Sequence, residues 1–309
     1  MSDFVQQHAV KCSFNSSDSW IILTPIEQSI KNKIEAIGKP LKEWDIKIYR
    51  GVLTGYNEAF VISTAKRDEI LANCSTEDER TRTADLIRPI LRGRDIKRYG
   101  YTWADLWLIA TFPSRHYNIY DFPAVKSYLL SIGKERLEQT GKTHIIQGEK
   151  VKARKKTNNK WFETQDSISY WEDFNQPKIT WGEISDRSKF AFDANGKYVP
   201  EATTFLMTGG KLPYLLCVLN SPLTEWFFSK VGTTTGVGTV RWKKFTIQEL
   251  LVPKADQQVL QQYNDLVTAF VSGSLTSTQL SQQANRIIYD MVGLSEDEIS
   301  YVENFYPPL

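Results

Sequence analysis

Basic side chains in this 309-residue chain gather into three runs whose residue types suit a polyanion. Residues 148–161, GEKVKARKKTNNKW, put Lys150, Lys152, Arg154, Lys155, Lys156 and Lys160 on one segment, with Thr157, Asn158 and Asn159 at its tip. Long cationic stems reach phosphates, and Arg and Asn carry paired groups that read base edges in a major groove. The plainer alternative is a solvated surface loop. In the second run, residues 92–98, Gly93 permits a tight turn and Arg92, Arg94, Lys97 and Arg98 supply charge. A guanidinium offers planar bidentate donors to phosphate or guanine. Asp95 can instead pair with an arginine and hold the loop's shape, so the expectation is a structural Asp95 with Arg92 or Arg94 facing outward. The third run is residues 232–238, GTTTGVG, before Arg241-Trp-Lys-Lys244. There Thr233, Thr234 and Thr235 stand between glycines that let backbone N–H groups approach a ligand closely, and Arg241 and Lys243 add charge; a hairpin tip is the alternative.

Net charge is only +2, so the distribution of charge carries the information. Residues 82–98 hold six basic and two acidic side chains, 134–160 nine and three, and 230–244 four and none. The remainder of the chain is acidic. Gathered on one face, the three stretches would form an electrostatic footprint for a phosphate backbone. Residues 51–60, GVLTGYNEAF, add a glycine loop presenting Thr54, Tyr56 and Asn57. Asn57 can bond adenine, or merely support a left-handed turn beside Gly55.

Catalytic patterns are sparse. His8, His116 and His144 are far apart, and neither Cys-x-x-Cys nor His-Glu-x-x-His occurs. Two Asp-x-Lys triplets, Asp45-Ile-Lys47 and Asp95-Ile-Lys97, leave a metal-dependent nuclease open as an alternative, although it would need a further acid on the same sheet. No nucleophile elbow supports a serine hydrolase.

The elements that must position these residues read as follows. Trp20–Leu23 is strand-like. Thr24 and Pro25 start a helix with Ile26, Ile30, Ile34 and Ile37 at helical spacing, ended by Gly38. Short strands flank the 51–57 loop, the second through Ala59–Ile62, and Arg88–Tyr99 reads as a proline-led turn. Strands are expected at 105–111, 178–181 and 203–207, and helices at 122–137, 212–220 and 222–228, with strands dominant between Trp44 and Leu251. From Asp256 apolar residues recur at helical spacing in two helices separated by Ser272-Gly-Ser274, and 256–305 hold seven acidic residues and one basic. Such an acidic pair suits bracing the domain or docking a partner, which keeps an assembly subunit as a further alternative. Most of the nine tryptophans, including Trp20, Trp107, Trp171 and Trp226, sit among apolar neighbours and read as core.

The apolar share is 41% and the charged share 24%, ordinary for a soluble globular protein. No run of eighteen apolar residues suggests a membrane span, and the polar N-terminus shows no signal peptide. Cys12, Cys74 and Cys217 are too few and too scattered for a disulfide framework and fit a reducing cytoplasm.

Residues 51–60 and 88–99 together resemble the TaqI-like specificity domain, the DNA target-recognition part of adenine-methylating restriction-modification enzymes. Lys160–Gln165, Pro177–Ser185, Tyr214–Ser221 and Arg241–Phe245 resemble further blocks in the family's order, and Leu294–Ile299 resembles the ending of such enzymes. The resemblance implies a mixed α/β (α+β) fold with twisted mixed or antiparallel sheets and irregular loops, then a C-terminal helical segment. The corresponding division is 1–40 for an N-terminal strand and connecting helix, 41–253 for target recognition and 254–309 for the helical segment. It also implies double-stranded DNA as ligand and an adenine methyltransferase or endonuclease domain or subunit as partner. Pro307-Pro308 is the one Pro-Pro pair and lies outside any Asn-Pro-Pro-Tyr context, and no glycine-rich cofactor loop is present. The resemblance therefore implies recognition without catalysis, with S-adenosylmethionine held by the catalytic domain or partner and no cofactor in this chain.

Overall fold

The computed structural model describes residues 23–146, 148–231 and 240–305. The chain falls into two compact units, one made of Ile46–Ser185 and Lys189–Leu212, the other of the remainder. This division differs from boundaries at 40 and 253, because 213–253 group with the N-terminal helix and the C-terminal helices. The fold is mixed α/β with antiparallel and mixed sheets and helices at the C-terminal end.

The first unit contains two four-stranded sheets. One orders Phe190–Asp193, Lys178–Gly182, Thr204–Gly209 and Ile46–Arg50, antiparallel throughout. Its register sets Trp181 opposite both Phe190 and Phe205, and the rings lie 5.5 and 5.6 Å apart, a cross-strand aromatic row that fixes the pairing. At the other end of the register Lys178 faces Asp193 in a fully buried ion pair of 2.7 Å. Further bonds support the pair: Lys178 Nζ also donates to Phe174 O, and Asp193 accepts from the Lys197 and Tyr198 backbone N–H groups. The second sheet orders Val199–Pro200, Ile87–Leu91, Leu106–Ile109 and Val61–Ser63, with the first pair parallel and the others antiparallel.

Several expectations require correction here. Ile87–Leu91 is a strand rather than a turn. Pro89 is tolerated because it takes the last position of the ladder with Leu106–Ile109, while the pairing with Val199–Pro200 begins at Ile90. The return strand after the glycine loop begins only at Val61, since Asn57–Phe60 forms a helical turn. The segment 122–137 breaks at Gly133 (φ +105°) into Pro123–Ile132 and Lys134–Leu137. Helix covers more residues than strand between Trp44 and Leu251, because Thr64–Ala72 and Glu77–Leu86 are helical. The latter, EDERTRTADL, has few apolar residues but strong caps. Thr76 accepts from Glu79 N, and the buried Glu79 carboxylate accepts from Ser75 N and from Ala124 N at the start of the next helix.

In the second unit, Pro25–Ile37 begins with a reciprocal capping box between Thr24 and Glu27 and buries Ile30 and Ile34. Gly38–Pro40 pairs with Leu251–Pro253. The helices Leu212–Leu219 and Pro222–Val231 form as expected. The C-terminal segment holds three helices, Gln257–Val271, Ser277–Val292 and Glu296–Asn304, rather than two. The third braces helix Pro25–Ile37: Ser29 and Lys33 donate to Glu298, and Tyr301 donates to Glu27. The strand expected at Trp20–Leu23 falls largely outside the described residues. Among the described residues no helix is long and apolar enough to cross a membrane.

Candidate nucleic-acid interface

The 51–57 loop is fixed from both sides. Gly51 N donates to Thr204 O and Val52 N to Pro200 O, each at 2.8 Å. A side chain at Gly51 would place its Cβ 2.1 Å from Glu201 O, so only glycine lets the two backbones approach this closely. Gly55 takes the left-handed conformation, φ +78°, and Asn57 begins the following helical turn instead of supporting a left-handed turn. The buried Thr54 hydroxyl donates to Asn57 Oδ1 (2.6 Å), and Asn57 Nδ2 donates to Glu201 Oε1 (3.4 Å). Tyr56 is half-buried against the core, and its hydroxyl accepts from Arg136 (2.8 Å).

Arg154 departs most from its expected role. It is 4% exposed and donates to four backbone carbonyls. Nε binds Leu137 O (2.8 Å), Nη1 binds Thr54 O and Glu163 O (both 2.8 Å), and Nη2 binds Trp161 O (2.7 Å). Burial lowers its pKa to about 10, partly opposed by the Glu163 carboxylate, so it stays charged at neutral pH. It is the post around which the basic loop is wound: four of its five N–H donors are spent on the backbone, and its burial keeps it from an outside ligand. Thr157 and Asn159 are also committed, to Gln139 and to the carbonyls of Thr164 and Gln165. Of the candidate residues on this segment, Lys150, Lys152, Lys155, Lys156, Asn158 and Lys160 are exposed, as is the acidic Glu149. Lys150 and Lys152 stand on a hairpin of Thr143–Ile146 and Glu149–Lys152, opposite Ile145 and Thr143, whose side chains are also exposed.

The Arg92–Arg98 turn sorts its arginines in the same way. Arg92 forks onto Asp95, with Nε donating to Oδ2 (3.0 Å) and Nη2 to Oδ1 (2.8 Å), and Arg92 N also donates to Oδ2. Burial alone would raise the Asp95 carboxyl, but the Arg92 side chain and backbone bonds outweigh it and hold it below the usual carboxylate range. Arg92 is thus structural, whereas Arg94 and Lys97 are exposed. Arg98 is half-exposed. The Asp95-Ile-Lys97 triplet retains no uncommitted carboxylate oxygen for a metal, and no cluster of His, Cys, Asp or Glu with ligand geometry occurs among the described residues.

These two basic segments share one anchor. Leu91, the residue before Arg92, accepts from Glu201 N (2.8 Å), and from Glu201 the contacts run through its carboxylate to Asn57, then to Thr54 and finally Arg154. The glycine loop therefore ties the Arg92 turn to the Arg154 loop within one compact unit. Arg94, Lys97, Lys150, Lys152, Lys155 and Lys156 form no ion pair among the described residues, so their charge is available to an outside anion. Arg136, which no motif singled out, joins the set through Tyr56. Arg241 and Lys243 are half-exposed and belong to the other unit, where the intervening Trp242 stacks on Phe228 at 4.1 Å. Thr233, Thr234 and Thr235 lie outside the described residues.

Residues 88–252, more than half of the chain, match the TaqI-like C-terminal specificity domain. The chain belongs to this family. The match opens at Arg88 in the strand leading to the arginine turn and includes the whole basic loop, while the 51–57 loop that anchors both precedes it. Two solved structures share the fold. The type IIG restriction endonuclease BpuSI is 13% identical over 86% of this chain and 32% of its own, with a TM-score of 0.50. The type IIL restriction-modification enzyme MmeI, solved in complex with DNA, is 11% identical over 87% of this chain and 34% of its own, also with a TM-score of 0.50. The chain thus spans about a third of the length of these enzymes. No curated protein matches its sequence.

Proposed function

We propose that this specificity domain recognises a short site in double-stranded DNA on behalf of a restriction-modification system acting in phage defence in the cytoplasm. Its working partner is an adenine methyltransferase or endonuclease domain or subunit. That partner binds S-adenosylmethionine and extrudes the target adenine, while this chain positions it. The carrying observation is the set of exposed cations without ion-pair partners, raised on the two segments that the 51–57 loop ties together. Lysines of this kind neutralise phosphates, and Arg94 and Asn158 have the groups to read base edges.

Duplex binding measured against salt tests the reading. Affinity should fall steeply between low and moderate ionic strength, and replacing Lys150, Lys152, Lys155 and Lys156 together by alanine should weaken it at least about tenfold. Each lysine that meets a phosphate should also lower the slope of log affinity against log salt by about 0.9. An unchanged dissociation constant rejects the loop's role.

A further inference from the structure

A cavity of about 560 Å³ opens in the first unit where helix Glu77–Leu86 runs into strand Ile87–Leu91. That volume lies within the range of small-molecule sites. It lies at the start of this strand, whereas the Arg92 turn follows its end, about 13 Å away along the extended chain. Its floor is apolar, with Ile87, Phe112 and Phe174. Trp107, Tyr117 and Trp171 form its walls; these rings are only half-buried, although Trp107 and Trp171 read as core in the sequence.

Three arginines line the same space, Arg82, Arg88 and Arg115, against a single carboxylate in the lining, Asp85. None of the three forms an ion pair among the described residues. Arg88 donates only to neutral acceptors, Asn175 Oδ1 (2.9 Å) and Lys197 O (3.4 Å), and Arg82 reaches Asp121 O (3.4 Å). The Arg115 guanidinium carbon lies over the Trp171 ring, 3.7 Å from its centre. Its segment is pinned to the 164–168 stretch: Thr164 N donates to Thr111 O, Ser114 N to Ser167 O, and Ser114 Oγ to Ile168 O. Both sides of this clamp hold left-handed backbone at non-glycine residues, His116 (φ +52°) and the buried, β-branched Ile168 (φ +51°). Such conformations persist only where surrounding structure enforces them, and they cluster at ligand sites.

We propose that this cavity binds a nucleoside monophosphate, with its base against the aromatic walls and its phosphate on the arginines. A planar ring matches the wall chemistry, and a phosphate balances guanidiniums that one carboxylate cannot neutralise. The nucleotide has two possible sources, a free mononucleotide or a nucleotide within a DNA strand.

Titration calorimetry and tryptophan fluorescence test the proposal, using dAMP, deoxyadenosine, inorganic phosphate and a 5′-phosphorylated single-stranded oligonucleotide. Binding of dAMP with quenching, at least about tenfold tighter than deoxyadenosine or phosphate alone, assigns a free nucleotide. Binding of the oligonucleotide but not dAMP assigns a nucleotide in a strand. In either case R88Q and R115A should each weaken binding about tenfold or more and leave duplex affinity unchanged; duplex binding also reports that the variants are folded. K155A/K156A should do the reverse, which separates failure of this site from failure of the duplex reading. No binding by any of the four probes up to millimolar concentration, or binding indifferent to both arginine variants, overturns the proposal.

Discussion

Arg154 separates architecture from recognition within a single basic run, and its replacement gives the sharpest test. In R154A four carbonyls, from Thr54, Leu137, Trp161 and Glu163, lose their donor inside a site where the side chain is 4% exposed. A hydrogen bond to a charged group contributes about 1.5–3 kcal/mol, but four acceptors sharing one fork do not add independently. Removing one member of a buried charged network typically costs about 3–5 kcal/mol, and that range is expected here. R154K keeps the charge on a compact head that cannot span four directions, so roughly half the loss is expected. Urea denaturation followed by fluorescence gives the free energies, and amide exchange across 137–165 locates the damage. K155A and K156A should change stability by no more than about 0.5 kcal/mol while weakening duplex binding. The reasoning fails if R154A is as stable as the parent within about 1 kcal/mol yet loses as much duplex affinity as K155A/K156A.

The other expectations follow from the same geometry. R92A frees the buried Asp95 and should cost about 1–3 kcal/mol in urea denaturation, whereas R94A should leave stability within about 0.5 kcal/mol and lower the salt slope of duplex binding by about one. G51A forces a Cβ to within 2.1 Å of Glu201 O, so the strand must shift, and a loss of at least about 2 kcal/mol should appear in the same assay. Glu27 resists the upward pull of burial through bonds from Lys230, Thr24 and Tyr301, and its pKa falls from 4.5 to about 2. Because the folded pKa is the lower one, this stabilisation is present above pH 4.5 and disappears as pH falls towards 2. It amounts to about 3 kcal/mol at most, and E27Q should flatten the decline in urea midpoint over that window.

Which parts of this molecule are legible in sequence depends on how local their causes are. Helix Pro25–Ile37 is readable because Thr24, Pro25, Glu27 and the isoleucine spacing all act within a few residues. The aromatic strands 178–182 and 204–209 are readable because their side chains satisfy the same pattern on either side of the ladder. Glu77–Leu86 is not, since its sequence lacks an apolar stripe and its stability comes from caps and from Glu79 reaching Ala124. Nor is the strand at Arg88, where Pro89 signals a turn unless the staggered start of the neighbouring strand is known.

The basic site divides along the same line. Charge density marks the segments that carry the exposed cations, because it is a local property. Which cations face outward is decided by partners far along the chain: Arg154 is drawn inward by a carbonyl a hundred residues upstream, at Thr54, while Lys155 and Lys156 next to it find none. An arginine buried in this way is invisible to any count of basic residues, yet it determines where the neighbouring lysines point. Arg92 repeats the pattern at short range, since Asp95 is visible three residues away, and there the internal pairing could be anticipated. In this domain the guanidinium forks of Arg92 and Arg154 build the loops, and the lysines with Arg94 are left exposed. Substitutions at the forks should therefore register first as lost stability, and substitutions at the lysines as lost salt-dependent affinity.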